Sequence, residues 1–135
     1  MTNEPISIFK DLVHETYLDL YGHVNNAKYL ELYEQARWHM LAEAGLNHQT
    51  LIEQGSGPVI LNVELSFLKE LKAREKFEIR TFKGHYKGKI FKLNQEIVLV
   101  ETGDIASKAT FTGGIFDFKA RKLIKPTTMW LALFE

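Results

Sequence analysis

The sequence predicts an α+β protein in which one long helix covers one face of an antiparallel sheet. Residues 26–44 carry apolar side chains at helical spacing, and one segment before them and four after residue 58 have the composition of strands. Short turns separate the last four segments, and strands joined by short turns pair mainly antiparallel. A chain of 135 residues, 45% of them hydrophobic, is expected to form a single domain over residues 1–135.

The first elements are a strand and the long helix. The strand is expected over residues 9–17, where apolar residues are frequent but irregularly spaced. Asn25 or Asn26 can cap a helix that begins near Asn26 and runs for about 18 residues. Its predicted buried face comprises Tyr29, Leu30, Leu32, Tyr33, Ala36, Met40, Leu41 and Ala44. Gly45 suits the left-handed residue that ends a helix, and Leu46 can fold back onto the apolar face.

Two residues break the helical pattern. Arg37 lies inside the apolar arc, and Trp38 lies on the polar side. Arg37 either pairs with Glu34 one turn earlier or contacts a buried interface or a ligand. Trp38 is either an exposed aromatic residue without a role or a subunit contact.

Beyond the long helix the chain is predicted to form one short helical turn within residues 47–54 and then the sheet. Strands are expected over residues 59–68, 77–86, 90–100 and 105–118. The first of these has one apolar face, made of Val59, Leu61, Val63, Leu65 and Phe67. The adjacent Gly113 and Gly114 suggest a bulge or the close approach of another backbone. Residues 129–134 are apolar enough to dock as a tail or short helix, and the uncovered sheet face needs cover or a partner.

Charge and composition exclude several classes of function. Seventeen basic and 17 acidic side chains cancel, which leaves no overall field to hold nucleic acid or an anionic membrane. The absence of cysteine removes disulfides and thiolate chemistry and suits a reducing compartment. Neither a signal peptide nor an apolar run of about 18 residues is apparent, so a cytoplasmic location without membrane association is expected. The histidines lack the paired spacing of a zinc site, so no metal is expected.

Asp19 is the acidic residue best placed for chemistry. It precedes the start of the long helix, where free backbone N–H groups attract developing negative charge. Gly22, His23, Asn25 and Asn26 follow within seven residues and offer a turn, a hydrogen-bond donor and those N–H groups. Alone, Asp19 is typical of a surface loop and His23 of a structural hydrogen bond, but together these residues favour acyl-transfer chemistry. No glycine-rich phosphate loop or nucleophilic serine motif accompanies them.

The stretch from Asp19 to Arg37 resembles a motif of hot-dog-fold acyl-CoA thioesterases of the 4-hydroxybenzoyl-CoA thioesterase type. The matching residues are Asp19, Gly22, His23, Val24, Asn25, Asn26, Tyr29, Leu30, Tyr33, Glu34, Ala36 and Arg37. Further matches are Gly45-Leu46, Gly57-Pro58-Val59 and the turn with Asp117, Arg121 and Lys122. The resemblance therefore covers nearly the whole chain.

The resemblance implies a hot-dog fold, in which an antiparallel sheet of about five strands wraps a long central helix. It also implies that strands of two subunits join into one continuous sheet, giving a homodimer that can pair again into a homotetramer. The implied activity is hydrolysis of an acyl-CoA thioester to free acid and CoA at the dimer interface, without a metal or cofactor.

The resemblance also assigns roles to residues. Asp19 matches the catalytic carboxylate, which acts either as a nucleophile through a mixed anhydride or as a general base for water. A backbone N–H near Asn26 matches the group that polarises the thioester carbonyl. The positions that shape the loop and pocket are matched by Gly22, His23, Asn25 and Tyr29. Tyr17, which stands where many relatives carry a second acidic residue, is expected to contribute to the substrate pocket.

Three alternatives remain open from the sequence. Lys87 and Lys89 belong to a basic hairpin that is either a solvated sheet edge or a contact for the phosphates of CoA. The chain could be a non-catalytic module that binds acyl-CoA or acyl-carrier protein, since a fold does not determine a function. It could also be a hot-dog dehydratase, which would be expected to use a His and Asp pair.

Overall fold

A computed structural model describes residues 4–135. Along the chain one strand is followed by two helices, a run of strands and a last short helix. The strands are β1 (Pro5–Leu12), β2 (Ser56–Phe67), β3 (Lys76–Lys87), β4 (Ile90–Leu99), β5 (Ile105–Asp117) and β6 (Lys122–Ile124). The helices are α1 (Asn26–Glu43), α2 (His48–Gln54) and α3 (Thr128–Phe134). The predicted α+β class and the element order of a strand, a long helix and four strands are confirmed.

The strands form one antiparallel sheet in the order β1-β3-β4-β5-β2, with β6 beside the end of β5. The sheet thus has six strands, one more than the roughly five expected. The sixth strand was missed because its three residues are too few to show an apolar alternation. In the part of the chain that the structure describes, β2 pairs only with β5, so its other edge is open.

The long helix begins and ends as its sequence predicts. The side chain of Asn25 accepts a hydrogen bond from the N–H of Ala27 at 2.9 Å, and α1 runs for 18 residues. Gly45 has a φ of +80°, and the N–H of Leu46 donates to the carbonyl oxygen of Leu41 at 2.8 Å. This is the Schellman arrangement that glycine permits. Local residue chemistry therefore defines both ends of α1.

The face of α1 that contacts the sheet is close to the predicted one. Its buried residues are Tyr29, Leu32, Tyr33, Ala36, Met40 and Leu41. Leu30 and Ala44, which were also predicted on that face, are exposed. The apolar arc is therefore narrower than the sequence indicated.

Two predicted strands differ in detail from the observed ones. The strand expected over residues 9–17 ends at Leu12, because its neighbour β3 begins opposite it at Lys76. Residues Glu15–Tyr17 instead form a 3-10 turn. In β2 a register shift between Ile60 and Asn62 interrupts the alternation and leaves Leu61 54% exposed. The prediction of one wholly apolar face on this strand is therefore wrong at Leu61.

The paired glycines of β5 allow backbones to approach closely. A Cβ atom at Gly113 would overlap the carbonyl oxygen of Val59 and lie 2.7 Å from Cζ of Phe91. A Cβ atom at Gly114 would lie 2.8 Å from the carbonyl oxygen of Lys89. The predicted close approach of another backbone is confirmed.

We therefore expect Gly113→Ala to lower the free energy of unfolding by about 1–3 kcal/mol, because the added methyl group has no space. Chemical denaturation followed by circular dichroism measures this change. Thr112→Ala, on the neighbouring position of the same strand, is the matched control and should have a smaller effect. Equal midpoints for the two variants would show that the glycine is not required for packing.

The interior contains two apolar clusters. The first lies between α1 and the sheet around Tyr33, Phe77 and Phe111. The second core cluster comprises Met40, Leu41, Leu46, Leu51, Phe91, Leu93, Ile115, Trp130 and Phe134. The ring of Phe134 stacks on Phe91 with 4.5 Å between centroids, so the predicted docking of residues 129–134 is confirmed as a helix. No helix among residues 4–135 is sufficiently long and apolar to cross a membrane.

Candidate active site

A tight loop before α1 presents Asp19. The N–H of Asp19 donates to the carbonyl oxygen of His23 at 2.8 Å, and the N–H of Gly22 donates to that of Asp19 at 3.1 Å. Gly22 has a φ of +81°, a conformation that residues with a side chain rarely adopt. The N–H of Asn25 then donates to the carbonyl oxygen of Tyr17 at 2.9 Å and closes the loop at the helix start.

The two oxygens of the Asp19 carboxylate have different surroundings. Oδ1 accepts hydrogen bonds from the N–H groups of Tyr21 at 2.8 Å and His23 at 3.2 Å. Oδ2 accepts none from the part of the chain that the structure describes. One oxygen therefore anchors the carboxylate to the loop, and the other is available to a water molecule or a substrate.

The residue at the start of α1, Asn26, lines the same cleft as Asp19. The N–H of Ala27 donates to the side chain of the cap residue Asn25, and the N–H of Lys28 donates to the carbonyl oxygen of Asn25. The N–H of Asn26 donates no hydrogen bond within the described chain. Asn26 and Asp19 both line a cleft of about 250 Å³. A free N–H at a helix start attracts negative charge, which suits a carbonyl oxygen that becomes an oxyanion.

The opposite wall of the cleft comes from the end of β2 and the residues after it. Phe67 and Leu68 are 50% and 57% exposed, and Oε2 of Glu70 lies 2.7 Å from Nε2 of His23. Tyr29 lies beneath them with its ring edge on Phe67, 4.9 Å between centroids. Burial, with smaller effects from the charges of Asp19 and Glu70, raises the pKa of Tyr29. The wall is therefore apolar at Phe67 and Leu68 and acidic at Glu70.

This second wall was missed by sequence reasoning. Phe67 and Leu68 were assigned to a strand, and Glu70, which precedes the charged segment 71–76, was assigned no role. It is separated from His23 by 47 positions, and no spacing rule relates such distant residues. The sequence signal that could have indicated this wall is the adjacent apolar pair Phe67 and Leu68, which interrupts the alternation at the end of a strand.

The sequence-predicted residues only partly converge. Asp19, His23, Asn26 and Tyr29 line one cleft, and Gly22 and Asn25 shape its loop and helix start. The side chain of Tyr17 lies elsewhere: its hydroxyl donates to Oδ2 of Asp11 at 3.2 Å, and Nζ of Lys28 lies 5.1 Å from its ring centroid. Tyr17 thus reaches the loop only through its carbonyl oxygen.

Lys87 and Lys89 lie at the far end of the sheet from Asp19 within the chain. Their hairpin adjoins Gly114, which is paired with Val59 at the start of β2. The cleft adjoins Phe67 at the end of β2, eight residues and about 26 Å away. Within a single chain these lysines and Asp19 are therefore too far apart to contact neighbouring groups of one ligand.

Arg37 is held by polar and aromatic contacts inside the apolar arc. Its Nη1 donates to Oε1 of Gln95 at 3.0 Å, and its guanidinium carbon lies 4.1 Å from the ring centroid of Phe111. Burial lowers the pKa of Arg37 to about 10, partly offset by the charge of Glu34. Of the two alternatives for Arg37, the pairing with Glu34 is not among the ion pairs of residues 4–135, and the guanidinium contacts Gln95 on the sheet instead. Trp38 is 41% exposed.

The site combines a carboxylate oxygen, a free backbone N–H and an exposed apolar wall. Together these groups can activate a water molecule or attack a carbonyl carbon while the N–H stabilises the oxygen. No three metal-ligating side chains converge in residues 4–135. A carboxylate oxygen and a backbone N–H donor beside one cleft are suited to acyl transfer.

Comparison with known proteins gives consistent matches over most of the chain. The family model described as the thioesterase-like superfamily matches residues 13–132. The long-chain acyl-CoA thioesterase FadM of Escherichia coli (strain K12) is 30% identical over 108 residues, which cover 80% of this chain and 81% of that protein.

Two solved structures show the same architecture. The probable thioesterase YbaW from Escherichia coli superposes with a TM-score of 0.77 and 28% identity, covering 88% of this chain and 89% of that one. Slr0204, a 1,4-dihydroxy-2-naphthoyl-CoA thioesterase from Synechocystis, superposes with a TM-score of 0.85, covering 95% and 94% of the two chains. At 16% identity the second match is evidence for the fold alone.

Proposed function

Because this chain belongs to the thioesterase-like superfamily and is a thioester hydrolase with the hot-dog fold, we propose that it cleaves acyl-CoA thioesters in the cleft beside Asp19. The observation that carries this proposal is the free Oδ2 of Asp19 in one cleft with the free N–H of Asn26. The relative at 30% identity is a long-chain acyl-CoA thioesterase, which makes long-chain acyl-CoA the first substrate class to test.

In the proposed reaction the thioester carbonyl oxygen accepts a hydrogen bond from the N–H of Asn26. Asp19 acts in one of two ways. As a general base it takes a proton from water, whose oxygen attacks the carbonyl carbon. As a nucleophile it forms a mixed anhydride, which water then hydrolyses. In both routes the C–S bond breaks, the CoA thiolate leaves and takes up a proton, and the products are a free acid and CoA.

The loop supports this chemistry by restricting the carboxylate. The two N–H donors on Oδ1 hold Asp19 in one orientation, and the contact of His23 with Glu70 fixes the loop to the opposite wall. A restricted carboxylate loses little entropy when substrate binds. Removing a polarising donor such as the N–H of Asn26 costs about 3–4 kcal/mol of barrier in comparable sites.

A homodimer through the open edge of β2 would complete this site. The exposed apolar residues at or near that edge are Ile60, Leu61, Phe67 and Leu68. An open strand edge with apolar side chains is a template for pairing with another strand. A two-fold axis near the middle of β2 would join two such edges antiparallel into one continuous sheet. Dimers that pair again would give a homotetramer.

The same pairing gives Lys87 and Lys89 a role. Antiparallel β2 strands would bring the hairpin end of one subunit to the Asp19 end of the other. The lysines of the second subunit would then lie within reach of a CoA bound at Asp19, and ammonium groups are suitable partners for its phosphates. A dimer therefore favours the interpretation of the basic hairpin as a contact for the phosphates of CoA.

The alternatives have less support. A dehydratase would require the imidazole of His23 beside the substrate, but its Nε2 contacts Glu70 and only its backbone N–H contacts Asp19. A non-catalytic acyl-CoA or acyl-carrier-protein binding module would not require a carboxylate with a free oxygen next to a free N–H. The family relationship also favours the hydrolase.

Thiol release from acyl-CoA esters of graded length and aromaticity, measured with a thiol reagent, tests the proposed function. We expect turnover that depends on acyl length. Binding of acyl-CoA by calorimetry with no thiol released from any member of the series would favour the binding module. Hydration of a trans-enoyl-CoA with no thiol release would favour the dehydratase.

A further inference from the structure

Basic side chains without acidic partners are concentrated at one end of the sheet. Residues 83–92 and 117–125 hold eight of the 17 lysines and arginines but a single acidic residue, Asp117. All eight are exposed, and none forms an ion pair within residues 4–135. Together they form the basic end of the sheet: Lys83, Lys87, Lys89, Lys92, Lys119, Arg121, Lys122 and Lys125.

The fold brings these two segments together. β4 pairs with β5 as far as Gly114, and β6 takes over the same edge of β5 at the next residue, since β2 occupies the other edge. A Cβ atom at Gly114 would lie 2.8 Å from the carbonyl oxygen of Lys89 and 2.9 Å from Cδ2 of Leu123. The β3–β4 hairpin and the segment after β5 therefore form one continuous surface.

Elsewhere the basic side chains are mostly neutralised. Five of the other nine contact a carboxylate, namely Lys28, Lys69, Lys72, Arg74 and Arg80. The zero net charge, which led us to expect no attraction to an anionic membrane, is a sum over the whole chain. The electric field near a surface depends on the charges close to it, so the basic end attracts anions despite that sum.

The basic end is larger than the proposed reaction requires. Under the proposed function, Lys87 and Lys89 contact the phosphates of one CoA. The other six cations have no role there, and they extend from the hairpin to the residues that follow β5 and β6. The surface therefore fits an extended anion rather than a single nucleotide.

Residue composition favours a lipid surface over a protein or a nucleic acid. Seven of the eight cations are lysines, whereas protein interfaces are depleted of lysine and enriched in arginine and exposed aromatic residues. Single-stranded nucleic acid stacks on exposed rings, but Tyr86, Phe91 and Phe118 of these segments are buried or half-buried. Clusters of about four to eight lysines or arginines are typical of proteins that bind anionic lipid headgroups.

We propose that the basic end binds the headgroups of an anionic lipid bilayer and holds the protein reversibly at the membrane surface. Met129, which follows Lys125 by four residues and is 38% exposed, adds an apolar contact beside the lysines. This inference goes beyond the proposed hydrolysis and does not depend on it, because binding to a bilayer is measured without a thioester.

Co-sedimentation with lipid vesicles tests the proposal. We expect the wild type to sediment with vesicles of equal parts phosphatidylglycerol and phosphatidylcholine, and to stay in the supernatant with pure phosphatidylcholine. Raising NaCl from about 50 mM to about 500 mM should release it, because the screening length falls to about 4 Å.

Two variants that lose the same charge show which lysines bind. The basic-end variant is Lys119→Gln/Lys122→Gln/Lys125→Gln, and the control variant, which removes three exposed lysines elsewhere, is Lys10→Gln/Lys76→Gln/Lys108→Gln. Each lysine near an anionic bilayer raises partitioning about fivefold, so the basic-end variant should partition about 100-fold more weakly than the wild type. The control variant should partition much as the wild type does, and thermal unfolding checks that both are folded.

Three results would overturn the proposal. The first is a wild-type protein that does not sediment with the anionic vesicles at low salt, or that sediments equally with neutral ones. The second is equal partitioning of the two folded variants, which would leave the basic end as a solvated sheet edge. The third is binding of a single- or double-stranded oligonucleotide without binding to vesicles, which would assign the basic end to nucleic acid.

Discussion

Replacing Asp19 by asparagine is expected to lower kcat for acyl-CoA hydrolysis by roughly 10²–10⁴-fold, the usual contribution of a positioned base. The asparagine oxygen can still accept the hydrogen bonds that the N–H groups of Tyr21 and His23 donate to Oδ1. The loop should therefore keep its shape. What the substitution removes is the negative oxygen that either attacks the carbonyl carbon or takes a proton from water.

The chain offers a matched control for this substitution. Asp117 ends β5 at a turn, and its Oδ1 accepts hydrogen bonds from the N–H groups of Lys119 at 3.0 Å and Ala120 at 2.7 Å. Asp117→Asn should retain wild-type kcat, because this carboxylate has the same structural role but lies outside the cleft. Thermal unfolding of both variants separates lost chemistry from lost structure. If folded Asp19→Asn kept more than about one tenth of the wild-type rate, Asp19 would not be the catalytic base or nucleophile.

Placing a charge on the open edge of β2 is expected to separate the subunits. Leu61 lies at the bulge of this edge and is more than half exposed. In a two-fold dimer Leu61→Lys brings two ammonium groups to the same interface, and facing like charges cost several kcal/mol. We expect a monomer by sedimentation velocity and a loss of hydrolysis of at least about tenfold, since each cleft then lacks Lys87 and Lys89 of the other subunit.

Leu131→Lys is the control for this second prediction, because Leu131 is an exposed leucine of α3 rather than of β2. It should sediment and react as the wild type does. A Leu61→Lys protein that remains dimeric and fully active would show that the subunits meet elsewhere. A wild-type protein that is active as a monomer would show that hydrolysis does not require the dimer.

The loop that carries Asp19 and the ends of α1 could be predicted because their sequence signals are local. The start of α1 depends on Asn25 two residues before Ala27, and its end depends on Gly45 and Leu46. The turn at Gly22 depends on a single residue that tolerates positive φ. Hydrogen bonds between residues so close in sequence require particular residue types at fixed spacings, and the sequence shows these directly.

The remaining features could not be predicted because they depend on contacts between distant segments. The wall that contains Glu70 meets His23 only after β2 has crossed the sheet. Arg37 turns to Gln95, 58 positions further along the chain, instead of pairing with the nearer Glu34. The bulge at Leu61 arises where the chain passes the glycines of β5. In each case tertiary packing outweighs the local pattern.

The claim that this chain hydrolyses acyl-CoA is tested most directly by product analysis in ¹⁸O-labelled water. Purified wild-type protein and hexadecanoyl-CoA are incubated, free thiol is titrated, and the free acid is measured by mass spectrometry. We expect equal amounts of thiol and acid, with a solvent oxygen in the carboxyl group, and neither product beyond background from Asp19→Asn. Absence of thiol, or thiol without a matching amount of labelled acid, would contradict hydrolysis at Asp19.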